Sequence, residues 1–242
     1  WPARSPHPSE EIIMEKLYVQ REGKVVDAGN RFEHVMAITL NPLSNNKDGV
    51  IRCITSREGD VEVKGYIDRS TLYKISGESL DQFSVGEPLV IKNQEEIIAE
   101  LVPPGGDFIG LEDPDLWVDP DTNLLHLYFT IPVRPSDDDE KMKIHLGHAV
   151  GKDLDSLVMT SPVLLNESLD DTAKEVSIAP KNNQGVRFNL VESRDRRPDM
   201  TYSTVRVATA SDMGEPWQFG ETVFHPADNN IPWIGGHASP GP

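Results

Sequence analysis

The stretch Gly110–Thr130, GLEDPDLWVDPDTNLLHLYFT, sets Glu112, Asp113 and Asp115 around Pro114 and then runs into an apolar segment. Carboxylates at the head of a strand that otherwise reads as buried have two uses. They can cap an acidic turn, or they can line a cavity and do chemistry there. In a cavity, desolvation and a second carboxylate both penalise the charged form. Asp113, flanked by Glu112, is then expected to have a raised pKa and to act as an acid. Other reactive residue types offer less. His145 and His148 in KIHLGHAV stand three apart on a presumed strand, face opposite sides, and are not expected to share a metal. Cys53 is the one cysteine, so no internal disulfide and no Cys-based metal site can form, and it reads as a core residue. GGHASPG (235–241) lacks the strand-to-helix setting of a nucleophile elbow or a phosphate loop, but its His237 is a candidate for contact with a substrate.

The elements that must position these groups repeat along the chain. Residues 38–60, 110–131 and 176–197 each carry an x-Pro pair (Asn41-Pro42, Asp113-Pro114, Ala179-Pro180), a polar turn and an apolar strand. That is the pattern of a hairpin. Each is followed by an alternating strand, a Ser/Gly/Asp turn and a last strand, over 70–91, 144–165 and 203–224. The prolines are 72 and 66 residues apart, and Ser239-Pro240 follows Pro180 after 60 more. Four short strands every ~65 residues describe an all-β fold, the blades of a β-propeller. The alternative is a two-sheet sandwich whose halves agree by chance.

The blades are expected at about residues 35–100, 101–170 and 171–230, with 231–242 starting another. Residues 1–34 form an N-terminal segment, in which SEEIIMEKL is either a short helix or a strand that closes the ring. A propeller closes with four or more blades, so about three and a half imply a truncated ring or one that depends on a partner, a homo-oligomer included. In a blade the innermost strand borders the central channel. Asn41, Asp113 and Ala179 are therefore expected at one mouth, with Asp113 the ionisable member.

Acidic residues outnumber basic ones 40 to 23, a formal charge of −17. That balance repels nucleic acid and leaves neutral partners such as oligosaccharides unaffected. No apolar run approaches the roughly 18 residues of a membrane helix, so no membrane partner is expected. Residues 1–10 lack the apolar centre of a secretory signal, although the chain opens on Trp1, and a cytoplasmic location follows as the expectation. PSDDDEKMK (135–143) reads as a solvated connection. Trp117 and Trp217 read as packing between blades, while Trp233 is either packing or a surface for stacking on a sugar ring.

These motifs resemble glycoside hydrolase family 130, the β-mannoside phosphorylases and hydrolases. GLEDPDLWVDPDTNLLHLYFT is similar to that family's Gly-x-Glu-Asp-Pro-Arg segment. LNPLSNNKDGVIRCITSREGD, KEVSIAPKNNQGVRFNLVESR and WIGGHASPGP are similar to its first, third and fourth blades. The resemblance implies a five-bladed β-propeller that cleaves a β-mannoside-type bond with inversion. Asp113 would be the catalytic acid, acting through a sugar hydroxyl in the phosphorylases. Asn41 and Arg57 would contact the sugar, beside Glu112, Asp115 and His237. Arg134, Lys174 and Arg194 would stand where the phosphorylases hold inorganic phosphate as co-substrate, with no other cofactor. Two positions depart from the family: Asp115 replaces its Arg, and Ser193 replaces the His of its third-blade His-Arg. Both weaken the case for phosphate. Water as nucleophile requires a partner carboxylate roughly 6.5–9.5 Å from the acid, which later blades would supply. Furanosidase propellers also carry an Asp-Pro in the second blade, where the Asp tunes a separate acid, but their first blade supplies an aspartate where Asn41 stands here. A propeller that binds glycans or proteins without catalysis is the third reading.

Overall fold

The computed structural model describes residues 23–63, 65–136, 142–168, 171–198, 200–229 and 238–240. They form three sheets that follow one another in sequence. The first contains β1 (Val26–Asp27), β2 (His34–Leu40), β3 (Asp48–Glu58), β4 (Ile67–Ser79) and β5 (Gln82–Pro88), in the order β1-β5-β4-β3-β2. The second contains β6 (Asp107–Phe108), β7 (Glu112–Val118), β8 (Leu125–Arg134), β9 (Lys143–Gly151) and β10 (Val158–Met159). Here β6 and β7 share one edge of β8, followed by β9 and β10. The third runs β11 (Val176–Ser177), β12 (Arg187–Arg196), β13 (Thr201–Ala210) and β14 (Gln218–Phe224). All pairings within these sheets are antiparallel except that of β1 with β5.

Burial in β8 explains why the sheets stack as blades. Every residue from Leu125 to Val133 is buried. Because side chains alternate across a strand, Leu125, Leu127, Phe129, Ile131 and Val133 pack toward the first sheet, against Val50, Leu72, Leu89 and Ile91. Tyr128 points the other way and joins Val191, Ala208, Trp117 and Trp217 against the third sheet. A strand buried on both faces reads as a continuous apolar run, and such a run succeeds the acidic head of GLEDPDLWVDPDTNLLHLYFT.

The protein is an all-β, partial β-propeller, with three blades among the described residues. Of the segment expected to open a further blade, only residues 238–240 are described. Of the N-terminal segment, β1 adds to the outer edge of the first blade. The one α-helix among the described residues, Gln94–Leu101, packs Ile98 into the cluster between the first two blades. No helix among the described residues is long and apolar enough to cross a membrane.

Candidate active site

The inner strands of the three blades are β2, β7 and β11, and each is irregular at the same end. In β2 the register against β3 slips between Met36 and Ile38, and Ala37 has φ +49°. In β7 it slips against β8 between Glu112 and Asp115, and Asp113 has φ +46°. Ahead of β11, Lys174 N–H donates to Glu192 O and Glu192 N–H donates to Glu175 O, each at 3.0 Å, so two residues oppose one. A bulge turns side chains out of the regular alternation and leaves positions without ladder bonds. It thereby admits Pro114, which has no N–H to give, inside β7. A left-handed conformation costs a non-glycine residue roughly 1–2 kcal/mol, least for Asp and Asn. Gly110, at φ +143°, sets the approach: a Cβ there would lie 2.1 Å from Ser70 O on the first blade. The Gly of the Gly-Leu-Glu-Asp-Pro sequence is thus required by contact between blades.

At this end the carboxylates meet cations from both neighbouring blades. Asp113, 7% exposed, accepts from Arg52 Nη1 at 2.8 Å through Oδ1 and pairs with Lys174 Nζ at 2.9 Å through Oδ2. Arg52 also donates from Nη2 to Glu112 Oε1 at 2.7 Å and from Nε to Ser70 Oγ at 2.8 Å. The site takes one residue from each blade at an even spacing, Arg52, Asp113 and Lys174, the first two lying 61 positions apart. On the third blade a cavity of about 590 Å³ opens beside Lys174, lined also by Glu192, Arg194, Met200, Tyr202 and Ser203. Ser203 Oγ donates to Glu192 there.

The charges sort differently from the expectation. Burial raises the Asp113 carboxyl, but Lys174 and Arg52 outweigh it and hold the group below its usual range. The raised carboxyls are its neighbours. Burial lifts Glu112 against the pull of Arg52. Burial lifts Asp115 to about 7, with Glu175 and Asp113 adding to the rise and the Val176 N–H opposing it. That N–H donates to Asp115 Oδ2 at 2.9 Å, tying the second blade to the third. Lys174 is pulled down by burial and raised further by Asp113, so it stays an ammonium. Arg194 is lowered, chiefly by burial and then by Arg196.

Of the residues singled out in the sequence, Glu112, Asp113, Lys174 and Arg194 come together here, with Asp115 behind them. Asn41 does not, which corrects the expected mouth. β2 reaches the site near Ala37 and ends at Leu40, so Asn41 lies at the opposite, hairpin end. Its amide is spent locally, Nδ2 donating to Asp48 Oδ1 at 2.8 Å and Oδ1 accepting from Leu43 N at 3.0 Å. Ala179 likewise follows β11, at the hairpin end, where its carbonyl accepts from Arg187 Nη1. Arg57 turns to Asp68 on its own sheet, at 2.5 and 2.8 Å. Arg134 pairs with Asp107, which Arg69 also holds. His237 and Trp233 lie outside the described residues, although Ser239 beside them donates to Glu175. Trp117 packs beneath the Arg187 guanidinium, whose Cζ lies 4.7 Å from the ring centroid, and Trp217 joins the same cluster between blades. His145 accepts from Asn166 N, and His148 bonds His126 and Thr160 within the core. Arg52 was not anticipated. The signal available was a lone arginine within an apolar run, Val-Ile-Arg-Cys-Ile, since a charge there requires a buried partner.

Solved structures share this architecture. A structure of BT0996 in complex with RGII matches with TM-score 0.52 at 12% identity, over 89% of this chain and 65% of that one. One described as a glycoside hydrolase matches with TM-score 0.52 at 12% identity, over 91% and 67%. The β-1,2-mannobiose phosphorylase of Listeria innocua, with bound β-1,2-mannobiose, matches less closely: TM-score 0.42 and 15% identity, over 68% and 39%. At these identities the likeness is one of fold. The chain shares that fold with glycoside hydrolases. It spans about two thirds of the length of the first two structures and well under half of the third. No protein-family model matches the chain, and no curated protein does.

Proposed function

We propose that the protein is a carbohydrate-active enzyme that cleaves a β-glycosidic bond of β-mannoside type with inversion, by hydrolysis or phosphorolysis, with Asp113 as its general acid. The observation that carries this reading is the buried Asp113 at the bulge of β7, held between Arg52 of the first blade and Lys174 of the third. In the reaction the bond from the anomeric carbon to the bridging oxygen breaks, and that oxygen takes the proton of Asp113, directly or through a sugar hydroxyl. The nucleophile attacks the opposite face of the ring. A phosphate oxygen needs no base for this, and Lys174 and Arg194 would balance its charge. Water needs a carboxylate base as well.

Product analysis on β-1,4-mannobiose, with and without inorganic phosphate, tests the proposal on wild type and Asp113→Asn. Mannose 1-phosphate formed only with phosphate identifies a phosphorylase. Free mannose regardless of phosphate identifies a hydrolase. In both cases the variant is expected to lose about 10²- to 10⁴-fold in kcat, the usual worth of a general acid. Absence of product from both proteins, with sugar still bound, would leave a binding propeller.

One observation favours a second reading. Both oxygens of Asp113 are held by cations, which suits a group that tunes a separate acid, as in the furanosidase propellers. Asp113→Asn would then shift the acid limb of the pH–rate profile and leave activity in place.

A further inference from the structure

Lys174 faces two ways. Its Nζ is 2.9 Å from Asp113 Oδ2, and the same side chain lines the cavity of Arg194, Tyr202 and Ser203. Among the described residues no carboxylate forms an ion pair with Arg194, although Glu192 and Glu112 act on it from a distance. A half-buried guanidinium without a paired carboxylate, beside hydroxyls and an ammonium, is a receptor for an oxyanion.

We infer that an oxyanion entering this cavity takes Lys174 away from Asp113, so that ligand binding arms Asp113 by letting it accept a proton from solvent. This deepens the reading of Asp113 as general acid and rests on it for its use in catalysis. Lys174 acts as a positioning residue shared between the carboxylate and the ligand. The groups facing Asp113 define how far the exchange goes. Arg52 on the first blade keeps its hold on Oδ1, while Glu112 and Asp115 on its own strand favour protonation once Lys174 has left. On the third blade, Glu175 acts on Asp115, and Glu192 draws on Lys174. The ionic chemistry is common to an inorganic phosphate and to the carboxylate of an acidic sugar. Without the anion Asp113 stays charged, so a site lacking its second ligand has no proton to give to a bound sugar.

The test is calorimetric titration of the 242-residue chain with inorganic sulfate and, separately, with galacturonate, in paired buffers of different ionisation enthalpy. Sulfate stands in for phosphate because it does not titrate between about pH 5 and about pH 8. The expected result is uptake of up to one proton per anion bound, with affinity falling up to about tenfold per pH unit. Asp113→Asn is expected to bind the same anion without proton uptake, and more tightly at about pH 8, because Lys174 has no carboxylate to leave. Sulfate binding alone assigns the site to a phosphate-like ion, and galacturonate binding alone to an acidic sugar. Failure of both anions to bind, binding without uptake, or uptake that persists in Asp113→Asn would overturn the inference. Coupled binding in a protein that cleaves no β-mannoside would sink the enzymatic reading and leave the coupling standing. Cleavage without coupled binding would do the reverse.

Discussion

Replacing Arg52 by Met tests whether the site is held together as described. The side chain is 11% exposed and makes three bonds, to Ser70 Oγ, Asp113 Oδ1 and Glu112 Oε1, at 2.8, 2.8 and 2.7 Å. Removing one partner of a buried ion pair costs about 3–5 kcal/mol, because the other charge is left without compensation. Asp113 would keep Lys174, whereas Glu112 would keep only the more distant action of that lysine. The expected loss at neutral pH is therefore at the lower end, about 3 kcal/mol. Its pH dependence follows from the direction of the Asp113 shift. In the native protein that carboxyl lies below its ordinary value of 3.8, so its stabilisation is present above that value and fades as pH falls through the lower folded one. Without Arg52 both carboxyls rise, and the penalty is full at neutral pH and shrinks as acid neutralises them. Urea unfolding of both proteins at about pH 7 and about pH 4, followed by tryptophan fluorescence, measures the difference. A loss below about 1 kcal/mol at neutral pH, or one that is as large in acid, would refute the reasoning.

Three further outcomes follow from single features. Gly110→Ala places a Cβ 2.1 Å from Ser70 O at φ +143°, and is expected to lose more than about 3 kcal/mol of unfolding free energy in urea; a loss under about 1 kcal/mol would show that the two blades do not meet there. Asp115 has a folded pKa of about 7, above its ordinary 3.8, so its charged form is disfavoured and stability falls as pH rises toward and through 7. Asp115→Asn keeps an acceptor for Val176 N–H and should remove that decline in Tm between about pH 5 and about pH 8; equal slopes in both proteins would contradict the shift. Cys53 is fully buried, and burial pushes its thiol up to about 11 against the pull of Arg31. A thiol reagent should label it only at the rate of unfolding, and rapid labelling of the native protein would mean that the first blade opens at its outer face.

The propeller was legible because each blade repeats its turns and apolar strands locally. The register between blades was not, for a reason visible in the second hairpin. That hairpin contains two x-Pro pairs, Asp113-Pro114 at the bulge and Asp119-Pro120 at the turn. Structurally, Asn41-Pro42 and Ala179-Pro180 correspond to Asp119-Pro120, the prolines lying 78 and 60 residues apart. Pairing them with Pro114 gave a more even period and moved Asn41 to the wrong end of its strand. The Asn-containing turn shared by Pro42, Pro120 and Pro180 marks the better alignment. Asp113 stands out from its place in the repeat, Lys174 and Arg194 from motif likeness, and the structure brings the three side chains to one end of the blades. Arg52 is marked in the sequence only as a lone charge in an apolar run, and its pairing with Asp113 was out of reach, because that depends on which strand a bulge brings opposite which cation. That pairing reverses the sign of the shift expected from burial alone.

The even spacing of Arg52, Asp113 and Lys174 across three blades also bears on how the protein folds. Each hairpin can form from local contacts, but the charges meet only after loops of ~60 residues have closed, and that closure entropy is spent before the contact is gained. The cluster is therefore a late event, with φ-values expected near zero at all three residues. Substitutions there should quicken unfolding and leave the folding rate nearly untouched. The lifetime of the docked blades, rather than their formation, is what these charges govern.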